Sequence, residues 1–252
     1  MNSIKKYAKF ILIISLNAVL SAQTEKSLSF TSIKPPARKK SFAEFFIGRE
    51  YKYECGNFDF SAENQVGILK QNEGTVYFNT ELKMAGFEAD YYSQIYYIYM
   101  NDSARKVLAE NVEKYIEDFE KRNLKNRGKN YKVYGELPIR LEWGSVPSMT
   151  DSYGKGQLQC GYKFYKNSPY FTLTVWPVKN LETRKASATS KSVRIQYYFT
   201  KAQAKKLAEL LSDENLREVL KPFIIETEEA SDNGKNGAKI SESADKPLAD
   251  EY

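Results

Sequence analysis

Among the 252 residues there is no histidine. That absence removes the Ser–His and Cys–His pairs, in which an imidazole takes the proton from the attacking group. A serine served by a lysine base is what remains, and Ser152-Tyr-Gly-Lys155 has the S-x-x-K spacing. The same spacing recurs at Ser3 and Ser103, and SYGKG reads as a glycine-rich turn rather than a helix start, so the pattern carries little weight. Glycoside hydrolysis would need two carboxylates about 5–10 Å apart. Glu54, Asp59, Glu136 and Glu142 fall on or beside expected strands, with nothing in the sequence to pair them. No P-loop, G-x-G-x-x-G or EF-hand loop is present.

The two cysteines are Cys55 in YECGNF and Cys160 in LQCGYK. Without histidine they are too few for a structural zinc site. Haem, blue copper and the facial iron triad lack ligands in the same way. No metal or cofactor is expected. In an oxidising compartment an isolated pair bridges, so a Cys55–Cys160 disulfide is expected, with two buried thiols as the alternative.

The first 22 residues indicate that compartment. Lys5, Lys6 and Lys9 precede an apolar stretch from Phe10 to Leu20, and Ser21 and Ala22 supply a small-residue cleavage site. The apolar core is about half the roughly 20 residues a membrane span requires. Cleavage after Ala22 therefore delivers the chain to the periplasm or the cell exterior, and the processed protein does not span the membrane. The formal charge of +6 divides unevenly. Residues 226–252 hold eight acids and three lysines, and residues 23–225 hold 32 basic against 24 acidic residues. The tail buries almost nothing and reads as disordered, so deleting residues 228–252 should leave the melting temperature almost unchanged. The basic body suits an anionic partner, a membrane surface, protein, peptide or polysaccharide, but no block of five basic residues appears and nucleic acid is not expected.

These residues must be positioned by strands. Tyr51, Tyr53 and Cys55 alternate with Lys52 and Glu54; Ile139, Leu141 and Trp143 alternate with Arg140 and Glu142. DYYSQIYYIYM, residues 90–100, has five tyrosines in eleven positions and is apolar on both faces, the mark of a strand covered on two sides. QNEG and KNSP read as hairpin turns, and SFAE at 41–44 as a capping box. Asn101 or Asp102 caps a helix with Val107, Leu108, Val112, Tyr115, Ile116 and Phe119 on one stripe, ending at Gly128. Thr200 caps a second helix, and Ser212 a short one running to Leu220.

YMNDSARKVLAENV at 99–112 and YFTKAQAKKLAELL at 198–211 share residues at matching places. They mark two halves, 26–127 and 129–221, each of strands followed by a helix. The expected fold is α+β: one domain over residues 23–225, mainly antiparallel sheet with two amphipathic helices. An outer-membrane barrel is disfavoured because helices interrupt the strands.

The most ligand-like surface comes from the last two strands. Phe171, Leu173 and Val175 must face a core, which turns Tyr170, Thr172, Thr174 and Trp176 outward. Val193, Ile195, Tyr197 and Phe199 likewise turn Arg194, Gln196 and Tyr198 outward. Tyr170, Trp176, Arg194 and Tyr198 are the expected contact residues, with Arg184, Lys185 and Lys191 in the adjoining 180–192 loop. The sequence thus points to an exported, non-catalytic binding or structural protein. The alternative is a small exported hydrolase using carboxylates or a Ser/Lys pair.

Overall fold

Phe58, Phe60 and Ala62 are buried while Asn57 and Asp59 lie in water, and this period of two runs through eight strands. In the computed structural model, which describes residues 33–34, 51–126, 132–144, 152–182 and 190–224, β1 (Lys52–Glu63), β2 (Leu69–Asn79), β3 (Met84–Tyr91) and β4 (Gln94–Met100) lead into helix α1 (Asp102–Glu120). β5 (Lys132–Gly144), β6 (Ser152–Tyr165), β7 (Ser168–Val175) and β8 (Ile195–Phe199) follow, then α2 (Lys201–Leu210), α3 (Asp213–Leu220) and a 3-10 turn, Lys221–Phe223. Four strands and one helix are thus followed by four strands and two helices. The expected leader, the 41–44 box, Gly128 and the acidic tail lie outside the described residues.

The strands pair antiparallel in sequence order, and β8 returns to pair with β1 through Ser61↔Tyr198 and Ala62↔Tyr197. The sheet is a closed eight-stranded barrel. Closure removes both sheet edges, a result the strand pattern did not announce. The sheet is antiparallel, as expected, and the described residues include three α-helices, the third being the short one expected after Ser212.

Aromatic rings fill the interior. Phe60 meets Tyr197 at 4.9 Å between centroids, and Phe58 meets Phe87 at 5.5 Å, both edge to face, the arrangement the ring quadrupole favours. Phe171 and Phe199 continue the stack. The outer wall carries Asp59, Glu73, Glu136, Lys155 and Gln157, all exposed. An apolar inside with a charged outside is the reverse of what a lipid-embedded barrel needs. No helix among the described residues is long and apolar enough to cross a membrane.

The helices stop one end of the barrel. Asn101 caps α1 by accepting from the Ala104 amide at 2.9 Å, and Thr200 and Gln203 form a capping box on α2. Tyr115 donates to the Pro169 carbonyl at 3.0 Å and packs on Phe171. The buried Arg105 ties all three helices together: it donates to the Leu211 carbonyl, to Asp102 at 2.9 Å and to Asp213 at 2.5 Å. In β1 a bulge between Glu54 and Gly56 moves the inward set from odd to even positions. Gly56 sits at φ +131°, a backbone conformation that residues with a Cβ rarely adopt, and it packs under the Leu210 side chain of α2, 2.7 Å from where a Cβ would lie.

Three local expectations change. The first hairpin turns at Asn64–Gly67, where the Asn64 side chain accepts from the Val66 and Ile68 amides; QNEG lies inside β2. SYGKG is strand, at the start of β6. Val193 precedes β8 and is exposed instead of buried.

Candidate functional site

Ser152 and Lys155 stand three apart on β6, so they face opposite sides of the wall. Ser152 is buried inside and accepts from the Asn180 amide group at 3.0 Å; Lys155 is exposed outside. One cannot serve as base for the other. The four carboxylates are all outward. Glu142 accepts from Arg140 at 2.8 Å and Glu136 from Gln159 at 2.7 Å, while Glu54 and Asp59 are exposed on β1. This geometry offers no paired acid and base.

Both cysteines are free and buried, which corrects the expected disulfide. Cys55 is on β1 and Cys160 on β6, with β7 and β8 between them. Three strand spacings of about 4.8 Å separate them along the wall, against the roughly 7 Å Cα–Cα limit of a bridge. Burial pushes both thiols up to about 12, which leaves them protonated and unreactive. Alkylation of the unreduced protein should therefore add two groups in denaturant and none in the native state. A mass showing no adduct after denaturation would mean a bridge.

The β7–β8 face divides in two. The strands pair as expected, with Thr172 opposite Tyr198 and Thr174 opposite Gln196, and all four named side chains lie on the outer wall. Tyr198 is nevertheless fully buried, contrary to an exposed contact role. Its ring packs against Tyr170, with centroids 6.2 Å apart. Its hydroxyl donates to Glu63 and accepts from Lys163 at 2.9 Å. Lys163 is also 3.3 Å from Glu63, and Gln196 donates to Thr174 at 2.9 Å. Burial, then the bond to Glu63, pushes the Tyr198 hydroxyl well above the usual tyrosine range. Tyr198 thus belongs to a polar clasp joining β1, β6 and β8.

Trp176 and Arg194 lie beyond that clasp, past the end of β7 and before the start of β8. Arg194 stacks on the Trp176 ring, 4.7 Å from its centroid, and Trp176 remains 47% exposed. The two halves of the face should separate in thermal melts. Trp176→Ala should fall within about 0.5 kcal/mol of the parent, whereas Tyr198→Phe should cost about 1–2 kcal/mol by leaving Glu63 and Lys163 short of a partner. Equal losses would place Trp176 in the core.

Pairing alternation puts the β1–β2, β3–β4, β5–β6 and β7–β8 connections at the end away from the helices. Among the described residues, the start of the β7–β8 connection folds back over this end. Val178 turns inward over β6, where a Cβ on Gly154 or Gly156 would come within 2.6 Å of it. The turn is held by Ser192, whose amide donates to the Val178 carbonyl and whose hydroxyl accepts from the Val178 amide, both at 2.9 Å.

At this end stand Val66 and Ile68, then Tyr92, then Trp176, Leu181 and Val193, all large, apolar and exposed. Tyr92 holds φ 56°, a left-handed conformation that usually goes to glycine or asparagine in a hairpin tip, and its ring meets Tyr91 at 4.6 Å. Asn64, Gln65, Val66, Tyr92 and Ser93 line a depression of about 470 Å³ between two of the hairpins.

One protein family, described as an uncharacterised Treponema protein, matches residues 22–218. The chain belongs to that family. Neither the curated proteins nor the solved structures include a match to it. The family's matched segment runs from the end of the expected leader to α3, so every strand of the barrel and all six rim residues fall within it. Of those six, strand periodicity singled out Trp176 alone. The signal for the others is a large apolar residue placed in a turn, as in NQVGIL and YYS.

Proposed function

We propose that this family member is an exported, non-catalytic binding protein whose contact surface is the loop end of the barrel. The observation that carries the reading is the rim: six large apolar side chains from three connections stay in water at one end. A water-soluble barrel has no folding reason to keep them exposed together, and grouped exposed apolar residues mark interaction sites. The leader supports export to the periplasm or cell exterior.

Two halves of four strands followed by helix support an origin by duplication. Asn101 and Thr200 cap the two helices, and Tyr99 and Tyr198 both face outward yet are buried in the preceding strands. The Cys-Gly pairs do not correspond, since Cys55 is on the first strand of its half and Cys160 on the second of its own.

The test has two arms. The exported protein should begin at Gln23 by mass. A photoreactive phenylalanine at Tyr92 or Leu181 should cross-link the protein to an envelope component on irradiation, and the same group at Asp59 or Lys155 should not. Cross-links from the wall but not the rim, or an intact Met1, would contradict the reading.

A further inference from the structure

The rim combines two chemistries. Trp176, Tyr92, Val66, Ile68, Leu181 and Val193 supply apolar and aromatic tips, and Lys179, Lys191 and Arg194, all exposed, supply positive charge in the same connection as Trp176. The described residues of this connection, 176–182 and 190–194, hold these three basic residues and one acid, Glu182. The described acids nearby are Glu63, held by Lys163, Glu182, and Asp90, whose carboxyl burial pushes up.

We propose that the loop end docks on an anionic lipid bilayer, an inference that rests on the rim being the contact surface. The tips come from three separate connections of one closed barrel, spread over one end rather than gathered along a single groove. That arrangement fits a broad surface better than it fits a peptide seated in one cleft. Trp and Tyr settle at the bilayer–water boundary, where one side of the ring meets headgroups and the other hydrocarbon. Shallow apolar insertion is marginal alone and becomes stable when basic residues meet anionic headgroups. Each basic residue near such a surface contributes about a fivefold gain in binding. Lys179, Lys191 and Arg194 together should then favour anionic over neutral lipid by on the order of a hundredfold.

The experiment is sedimentation of the protein, purified after export, with phosphatidylglycerol or phosphatidylcholine vesicles at low and high salt. Binding should be confined to phosphatidylglycerol and should weaken at high salt. Trp176→Ala and Tyr92→Asn should each reduce it about tenfold, and Arg194→Gln about fivefold, with melting temperatures near the parent's. Binding unaffected by all three variants would place the lipid contact elsewhere and overturn the proposal. Equal affinity for dextran sulfate, indifferent to Trp176→Ala, would mark a polyanion site and overturn it as well. No vesicle binding, together with a protein or polysaccharide cross-link from the rim, would remove the lipid and keep the contact surface. No vesicle binding and no rim cross-link would remove both.

Discussion

Alkaline titration should unfold the barrel in one step, with a midpoint near pH 11. Tyr91, Tyr96, Tyr97, Tyr99, Tyr115, Tyr197 and Tyr198 are buried, and desolvation is the first cause that raises each hydroxyl above its ordinary value; Tyr96 is pushed up to about 12. The sign follows from the folded state holding these protons more tightly than the unfolded chain. Their contribution is fully present below about pH 10, the unfolded value, and is lost as pH rises toward the folded values. Each such group removes about 1.4 kcal/mol of stability per pH unit above 10. Several acting together reach the 5–15 kcal/mol that holds a domain folded. Tyrosinate absorbance at these sites should appear together with the loss of near-ultraviolet dichroism. A gradual titration centred near 10, with the fold intact, would mean that these tyrosines are open to water.

Phe60→Ala should cost about 3–5 kcal/mol and leave the protein at or near the limit of folding. Phe60 is fully buried in the barrel interior, and its ring meets Tyr197 at 4.9 Å, Phe58 at 5.9 Å and Phe199 at 6.4 Å. A closed wall cannot collapse far into the space a missing ring leaves, so the cavity penalty adds to the lost transfer energy. Lys155→Ala on the outer wall, the matched control, should change stability by less than about 0.5 kcal/mol. Urea denaturation of the two variants compares them directly. A small loss for Phe60→Ala would mean the interior is loosely packed.

Much of the wall was legible because its inward sets obey strict alternation. Ile139, Leu141 and Trp143 on β5 and Phe171, Leu173 and Val175 on β7 are all buried, and Tyr96, Tyr97 and Tyr99 mark β4 as a strand buried on both faces, whereas the 90–100 run read as one strand breaks at an exposed turn on Tyr92 and Ser93. Tyr96 and Ile98 point into the interior cluster, while Tyr97 and Tyr99 form a second buried cluster on the outer wall with Tyr77. Helix caps at Asn101, Thr200 and Ser212 were equally readable, because a cap is a local bond between neighbours in sequence.

Closure was not readable. It depends on β8 meeting β1, two strands far apart in the chain, and no local pattern encodes that meeting. Tyr198 shows the same limit at the candidate site. Periodicity gives its direction, outward, but not its exposure, which is set by Glu63, 135 residues away, and Lys163, 35 residues away. The bulge before Gly56, which moves the inward set to Phe58 and Phe60, and the late start of β8, which leaves Val193 outside the strand, have comparable tertiary reasons.

The two tryptophans give the most direct test of the rim. Trp143 is buried inside the barrel, and Trp176 is exposed at its mouth, so acrylamide should quench one and spare the other. On adding phosphatidylglycerol vesicles, the quenchable, red-shifted emission of Trp176 should move to the blue and become protected, while Trp143 stays unchanged and phosphatidylcholine has no effect. Emission from Trp176 that stays red and fully quenchable while the protein sediments with the vesicles would contradict the loop end as the contact surface.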